Sequence, residues 1–176
     1  MIENIRLGTK ISTRNFNFIP QICANQDLID YIEIIIMPEF TSADIDVISN
    51  LKIPYAIHVP NIFYGIDFGN INKNEKNIEY INKINQYKNQ LRPICCIVHP
   101  ESGDLELSIE NIKKIDIKPV ALENMTLKSL LGGELIGYDP ESLKEYFIKI
   151  PDLEFCLDIN HAIKAAISKK IDYLSF

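Results

Sequence analysis

Six short apolar runs, rich in β-branched residues, recur along the chain: Ile5 to Ile11, Tyr31 to Met37, Tyr55 to Val59, Ile94 to Val98, Val120 to Leu122, and Glu154 to Leu157. They are continuous rather than alternating, and each ends in a polar residue or a proline. That is the pattern of strands covered on both faces, as in a parallel sheet. Between them lie segments with helical spacing. The clearest runs from Glu75 to Leu91, where Ile78, Ile81, Ile84, Tyr87 and Leu91 fall on one stripe. Further helices are predicted over Ser42 to Leu51 with Thr41 or Ser42 as N-cap, Leu107 to Ile115, Glu141 to Ile148 after Pro140, and Ala162 to Lys169.

Strand and helix alternate, so the class is α/β with a parallel sheet, either doubly wound or closed as a barrel. The polar strand ends are spaced by one βα unit each. A full eight-unit barrel takes about 250 residues and six units roughly 190, close to the 176 present. The expectation is a parallel (β/α) TIM-type barrel, incomplete in this chain, with about six of eight units in a single domain over 1–176. Strands seven and eight are lacking, and Ile171 to Phe176 read as the approach to the seventh. Two raw sheet edges would follow, to be covered by further chain, by a second copy or by the chain's own helices.

Composition narrows the function more than the fold. The net charge is −6, which disfavours non-specific binding to a phosphate backbone but leaves metal-mediated phosphate chemistry open. No signal peptide and no run of about 18 apolar residues is visible, so a cytoplasmic protein without membrane contact is expected. The four cysteines, Cys23, Cys95, Cys96 and Cys156, show no C-x-x-C spacing. They read as buried reduced thiols, with Cys95 and Cys96 on opposite faces of a strand.

The chemistry gathers at strand ends. All three histidines sit at or just beyond one: His58 in AIHVP, His99 in IVHP and His161 in LDINHA. In a barrel those ends converge on the face where ligands bind. Glu123 and Asp158 emerge from the apolar PVAL and FCL, where an unpaired charge costs several kcal/mol. A cation between these carboxylates and the imidazoles removes that cost, and the donor mix suits zinc, manganese or a similar divalent ion. The metal ligands expected are therefore His58, His99, Glu123 and Asp158, with Glu123 and His161 as catalytic groups. Glu33, inside YIEIIIMPEF, is a substrate contact or the partner of a barrel lysine. Two loops could meet a substrate. Asn61 to Asn70 carries Phe63, Tyr64 and Phe68, able to stack on a sugar face or a base, and Met125 to Asp139 has the length of a mobile lid or a structural turn.

HVP with His58, VHPESGD with His99, LEN with Glu123 and LDINHA with Asp158 and His161 resemble, in order, the strand-end motifs of the xylose isomerase-like barrel superfamily. That group holds sugar isomerases and epimerases and the apurinic endonucleases of the endonuclease IV type. In the endonuclease branch the resemblance implies a first zinc on His58, His99 and a bridging Glu123. A second metal would share Glu123 and take Asp158, with ligands from the seventh and eighth strands, and a third would use His161 with two further ligands from the seventh-strand region. In the isomerase branch Glu123 and Asp158 hold one metal, His161 contacts the sugar, and Glu123 pairs with an eighth-strand glutamate for proton transfer. The apurinic endonucleases usually place an aromatic after the H-x-P motif, where this chain has Asn61. The leading expectation is thus a divalent-metal-dependent sugar isomerase or epimerase acting on a small sugar or polyol, with Glu123 moving a proton between adjacent carbons. The alternatives are an apurinic-site phosphodiesterase acting on DNA and a non-catalytic barrel remnant.

Overall fold

A computed structural model describes residues 5–174. Six strands form one parallel sheet: β1 (Gly8–Ser12), β2 (Tyr31–Ile35), β3 (Tyr55–His58), β4 (Cys96–Val98), β5 (Val120–Glu123) and β6 (Glu154–Cys156). Their spatial order is their order in sequence. A doubly wound sheet would reverse direction at a switch point, whereas this order is that of a barrel wall. Helices α1 (Ile19–Ala24), α2 (Ser42–Ser49), α3 (Asn74–Asn85), α4 (Leu105–Lys113), α5 (Pro140–Lys149) and α6 (Ile159–Lys169) follow the successive strands. No helix among the described residues is long and apolar enough to cross a membrane.

The two faces of the sheet carry different chemistry. Ile32, Ile34, Ile57, Cys96, Val98, Val120 and Leu122 are buried in the main core with helix residues such as Ile45, Ile81, Ile109 and Tyr146. The inner face holds only a small apolar layer of Ala56, Ile97 and Ala121, flanked by Cys95 and Cys156, and its upper end is given to His58, His99 and Glu123. Register places them there. His58 pairs with Ile97, two residues before His99. Val98 pairs with Leu122, which sets His99 level with Glu123, and Glu123 pairs with Cys156, two residues before Asp158.

Capping chemistry sets the helix starts. Asp104, Asp139 and Asp158 each accept from a backbone amide three residues on, opening α4, α5 and α6. These caps begin α4 at Leu105 and α6 at Ile159, earlier than hydrophobic spacing alone predicts. The expected helix to Leu91 stops at Asn85. Beyond it the chain turns, yet Leu91 still reaches the core, so the apolar stripe outlasts the helix. The first strand is shorter than predicted, with Ile5 and Leu7 exposed outside it, and α1 has no counterpart among the predicted helices. Cys96 is buried, but Cys23 is exposed and Cys95 and Cys156 are half-buried; all four are free thiols. Residues 171–174 form no strand, and the end of the expected approach to a seventh strand, at 175–176, lies outside the described residues.

Candidate metal centre

His58, His99 and Glu123 come from three adjacent interior strand ends and are all buried. Their donor atoms converge. His58 Nε2 lies 3.2 Å from His99 Nε2, His99 Nε2 lies 3.4 Å from Glu123 Oε1, and His58 Nε2 lies 4.0 Å from Glu123 Oε2. Ligands about 2.0–2.1 Å from a tetrahedral zinc stand about 3.3 Å apart, so the set fits a cation with little rearrangement.

The far side of each ring decides which nitrogen is free. His58 Nδ1 sits 2.6 Å from Glu33 Oε1, which also receives Lys10 Nζ at 2.6 Å. Burial alone would raise the Glu33 carboxyl, but the His58 hydrogen bond and the Lys10 ammonium outweigh it and bring the pKa to about 2. A carboxylate this acidic accepts, so His58 Nδ1 carries the proton and Nε2 presents a lone pair. Lys10 lies 3.0 Å from the same nitrogen and, itself only a donor, spends its proton on Glu33. Burial depresses the His58 pKa, keeping the ring neutral. His99 is disfavoured as a cation by burial too, yet its hydrogen bond to Glu123 and the nearby Glu101 raise its pKa. Glu123 is correspondingly held below its usual range despite burial, by His99 first. A proton shared with His99 therefore stands where a divalent cation would compete for the same donors.

Glu123 also belongs to a second group, with Asp158 and His161, whose donor atoms lie within 4.8 Å of one another. Here the side chains are more open, 31% exposed for Asp158 and 24% for His161, and each already has a task. Asp158 Oδ1 caps α6 by accepting from the His161 amide at 2.9 Å. His161 Nδ1 donates to the Asn124 carbonyl at 2.8 Å, leaving Nε2 as its free nitrogen. Asn124 in turn bonds the Asp158 backbone at both of its polar groups, donating at 3.0 Å and accepting at 2.7 Å, and so ties β5 to β6. His161 sits in the first turn of α6 rather than at the strand end itself.

Two cavities open beside the histidines. A metal-side cavity of about 180 Å³ is lined by Lys10, Tyr64, His58, Glu123, Asp158 and His161, among others. A lateral cavity of about 370 Å³ carries Phe63, Leu135, Lys128 and Lys164, and it shares Asn61, His99 and His161 with the first. Phe63 and Tyr64, expected substrate contacts, are exposed on a 3-10 turn at these cavities, whereas Phe68 is core. The 125–139 loop is anchored at its base. Met125 N bonds Gly137 O at 2.8 Å, and Ile136 N bonds Glu101 O at 2.8 Å.

Glu101 escaped the sequence reading. It is buried at 1% exposure with a left-handed backbone, φ 64°, and Oε1 lies 3.3 Å from His99 Nδ1. That contact is too poorly directed to be a hydrogen bond, and neither carboxylate oxygen has a partner. Burial pushes its pKa up to about 7, with His99 opposing and Asp67 assisting. Asp67 holds the loop that carries Glu101, accepting from Ser102 N at 2.9 Å and Ser102 Oγ at 2.6 Å. The one sequence signal was a glutamate directly after His-Pro and before Ser-Gly, at a turn position that glycine or asparagine more often fills.

No protein-family model matches this sequence, and no curated protein matches it. Solved structures do match. Endonuclease IV from Thermus thermophilus superposes with a TM-score of 0.70 over 92% of this chain, at 22% identity. A D-tagatose 3-epimerase-like protein gives 0.65 over 90% at 18% identity. A second Thermus thermophilus protein, from crystals soaked with zinc chloride, gives 0.62 over 89% at 14% identity. The chain spans 65%, 66% and 68% of these three structures respectively. What it shares with them is the fold, a parallel barrel wall of alternating strands and helices.

Proposed function

We propose that this chain, built on the xylose isomerase-like barrel fold, carries the metal-holding part of a divalent-cation-dependent phosphoester hydrolase, with His58 Nε2, His99 Nε2 and Glu123 as ligands. The supporting observation is the convergence of two imidazole nitrogens and one carboxylate at 3.2 to 4.0 Å, beside a cavity that leaves a further direction open. Two histidines, one glutamate and an open position are the donor set of hydrolytic zinc sites, and paired imidazoles favour zinc over manganese. A cation bound there would polarise a phosphoryl oxygen and make a neighbouring water more acidic. Water oxygen then bonds to phosphorus, the bond from phosphorus to the ester oxygen breaks, and the products are an alcohol and a phosphate.

The chain's own groups divide the remaining work. Glu33 and Lys10 fix His58 in its ligating tautomer. His161 Nε2, free because Nδ1 serves the Asn124 carbonyl, takes the proton released by water and returns it to the departing ester oxygen. This ordering departs from the expectation of sugar isomerisation. Proton transfer between carbons needs a free base on the substrate, and Glu123 is already engaged with His99. The isomerase reading keeps one specific support, the fold likeness to a D-tagatose 3-epimerase-like protein.

The test is hydrolysis of bis(p-nitrophenyl) phosphate and p-nitrophenyl phosphate by the zinc-loaded protein, with fructose epimerisation run in parallel. Phosphoester turnover that chelator abolishes and Glu123→Gln lowers by about a hundredfold or more is the expected result. Sugar interconversion without phosphoester hydrolysis would reverse the order of the two readings.

A further inference from the structure

The lateral cavity is larger than the proposed hydrolysis needs. At about 370 Å³ it is within the range of small-ligand sites. It shares Asn61, His99 and His161 with the metal-side cavity, so the two adjoin and a molecule reacting at the cation site has it within reach. Phe63 and Leu135 supply apolar walls.

Its two lysines are left without an ion pair. Among the described residues the lysines in ion pairs are Lys10, Lys88, Lys149 and Lys169; Lys128 and Lys164, which both line this cavity, are not. In a chain of net charge −6, two ammonium groups around one cavity supply local positive charge for an anion. Glu101 lines the same cavity, buried, and beyond a weak interaction with the Ile62 amide its two oxygens have no hydrogen-bond partner. A buried acceptor left unpaired costs about 1–3 kcal/mol, and a ligand hydroxyl would satisfy it. Cations alone would fit any anion. Cations with a buried acceptor and an apolar wall select a molecule that is anionic at one point and hydroxylated at another.

We propose that the lateral cavity binds the non-reacting end of a small phosphorylated polyol, and that this end carries a second anionic group held by Lys128 and Lys164 while a hydroxyl donates to Glu101. The proposal rests on the phosphoester reading, whose ester would lie over His58, His99 and Glu123. It makes the substrate a small metabolite with two anionic groups.

Calorimetric titration of the zinc-loaded full chain tests it with three probes: fructose 6-phosphate, with one anionic group; fructose 1,6-bisphosphate, with two phosphates; and 6-phosphogluconate, with a phosphate and a carboxylate. At low salt the doubly anionic probes should bind about tenfold more tightly than fructose 6-phosphate, as two exposed charge contacts allow. In the Lys128→Gln, Lys164→Gln double variant that preference should vanish, with zinc binding unchanged. A preference for only one of the two supports the proposal and identifies the anion. Equal binding of all three, no binding of any, or a preference that survives the double variant overturns it. Failure of the protein to load zinc would sink the hydrolase reading and this one together, and the zinc titration run beforehand separates that case from the others.

Discussion

Glu123 stands between two sets of donors that the fold treats differently. On one side, His58 and His99 project from interior strands and are buried, and His58 is fixed from behind by the Glu33 carboxylate. On the other, Asp158 and His161 belong to the end of β6 and the start of α6, are partly exposed, and hold α6 and the β5–β6 connection in place. Interior strands, paired on both sides, deliver ligands whose only task is the site. The junction of β6 and α6 delivers residues that also serve the backbone. Preorganisation should therefore be strong on the first side and weak on the second.

The largest effect that would sharpen this contrast is on the first equivalent of zinc. His99→Ala should weaken it about a hundredfold or more, one ligand's share of the roughly 10–16 kcal/mol that a four-ligand site supplies. His161→Ala should change it by less than about tenfold. Equal losses in competitive chelator titrations would erase the distinction.

Next in size is a stability effect on the buried side. The Glu101 carboxyl titrates at about 7, above its usual 4.5. Below about pH 4.5 it is protonated in both folded and unfolded chains and costs nothing. Between 4.5 and 7 the folded chain retains a proton that the unfolded chain has released, so stability falls as pH rises, by about 3 kcal/mol in all. Glu101→Gln should remove that loss, leaving the metal-free variant more stable than the parent at pH 8 and equal to it at pH 4. Urea unfolding at the two values measures it, and a variant no more stable at pH 8 would deny the strain.

Smaller effects come from the supporting residues. Glu33→Gln should lower zinc affinity by about tenfold, the low end for a group that orients a ligating histidine, with an unchanged circular dichroism spectrum. Asp158→Ala should cost about 1 kcal/mol of stability through the lost cap of α6, whether or not metal is present. A cost appearing only with metal bound would make Asp158 a ligand first and a cap second.

Strands were the most legible feature, because Ile32, Ile34, Val98 and Leu122 belong to continuous runs that only a doubly covered sheet explains. Helix ends were less so, since hydrophobic spacing does not mark the caps at Asp104 and Asp158, and Leu91 keeps the helical stripe without the helix. The convergence of His58, His99 and Glu123 was readable because barrel strand ends must meet. Glu101 and Lys10 were not, because their significance is in register and burial: Lys10 pairs with Glu33 across β1 and β2, and nothing local to either residue announces it.

The central claim is that His58, His99 and Glu123 are poised around one cation. A zinc-edge anomalous difference map from crystals soaked in zinc chloride tests it most directly. The account predicts a strong peak about 2.0–2.2 Å from His58 Nε2, His99 Nε2 and a Glu123 oxygen; a map without density there, or with zinc held only by surface carboxylates, would contradict it.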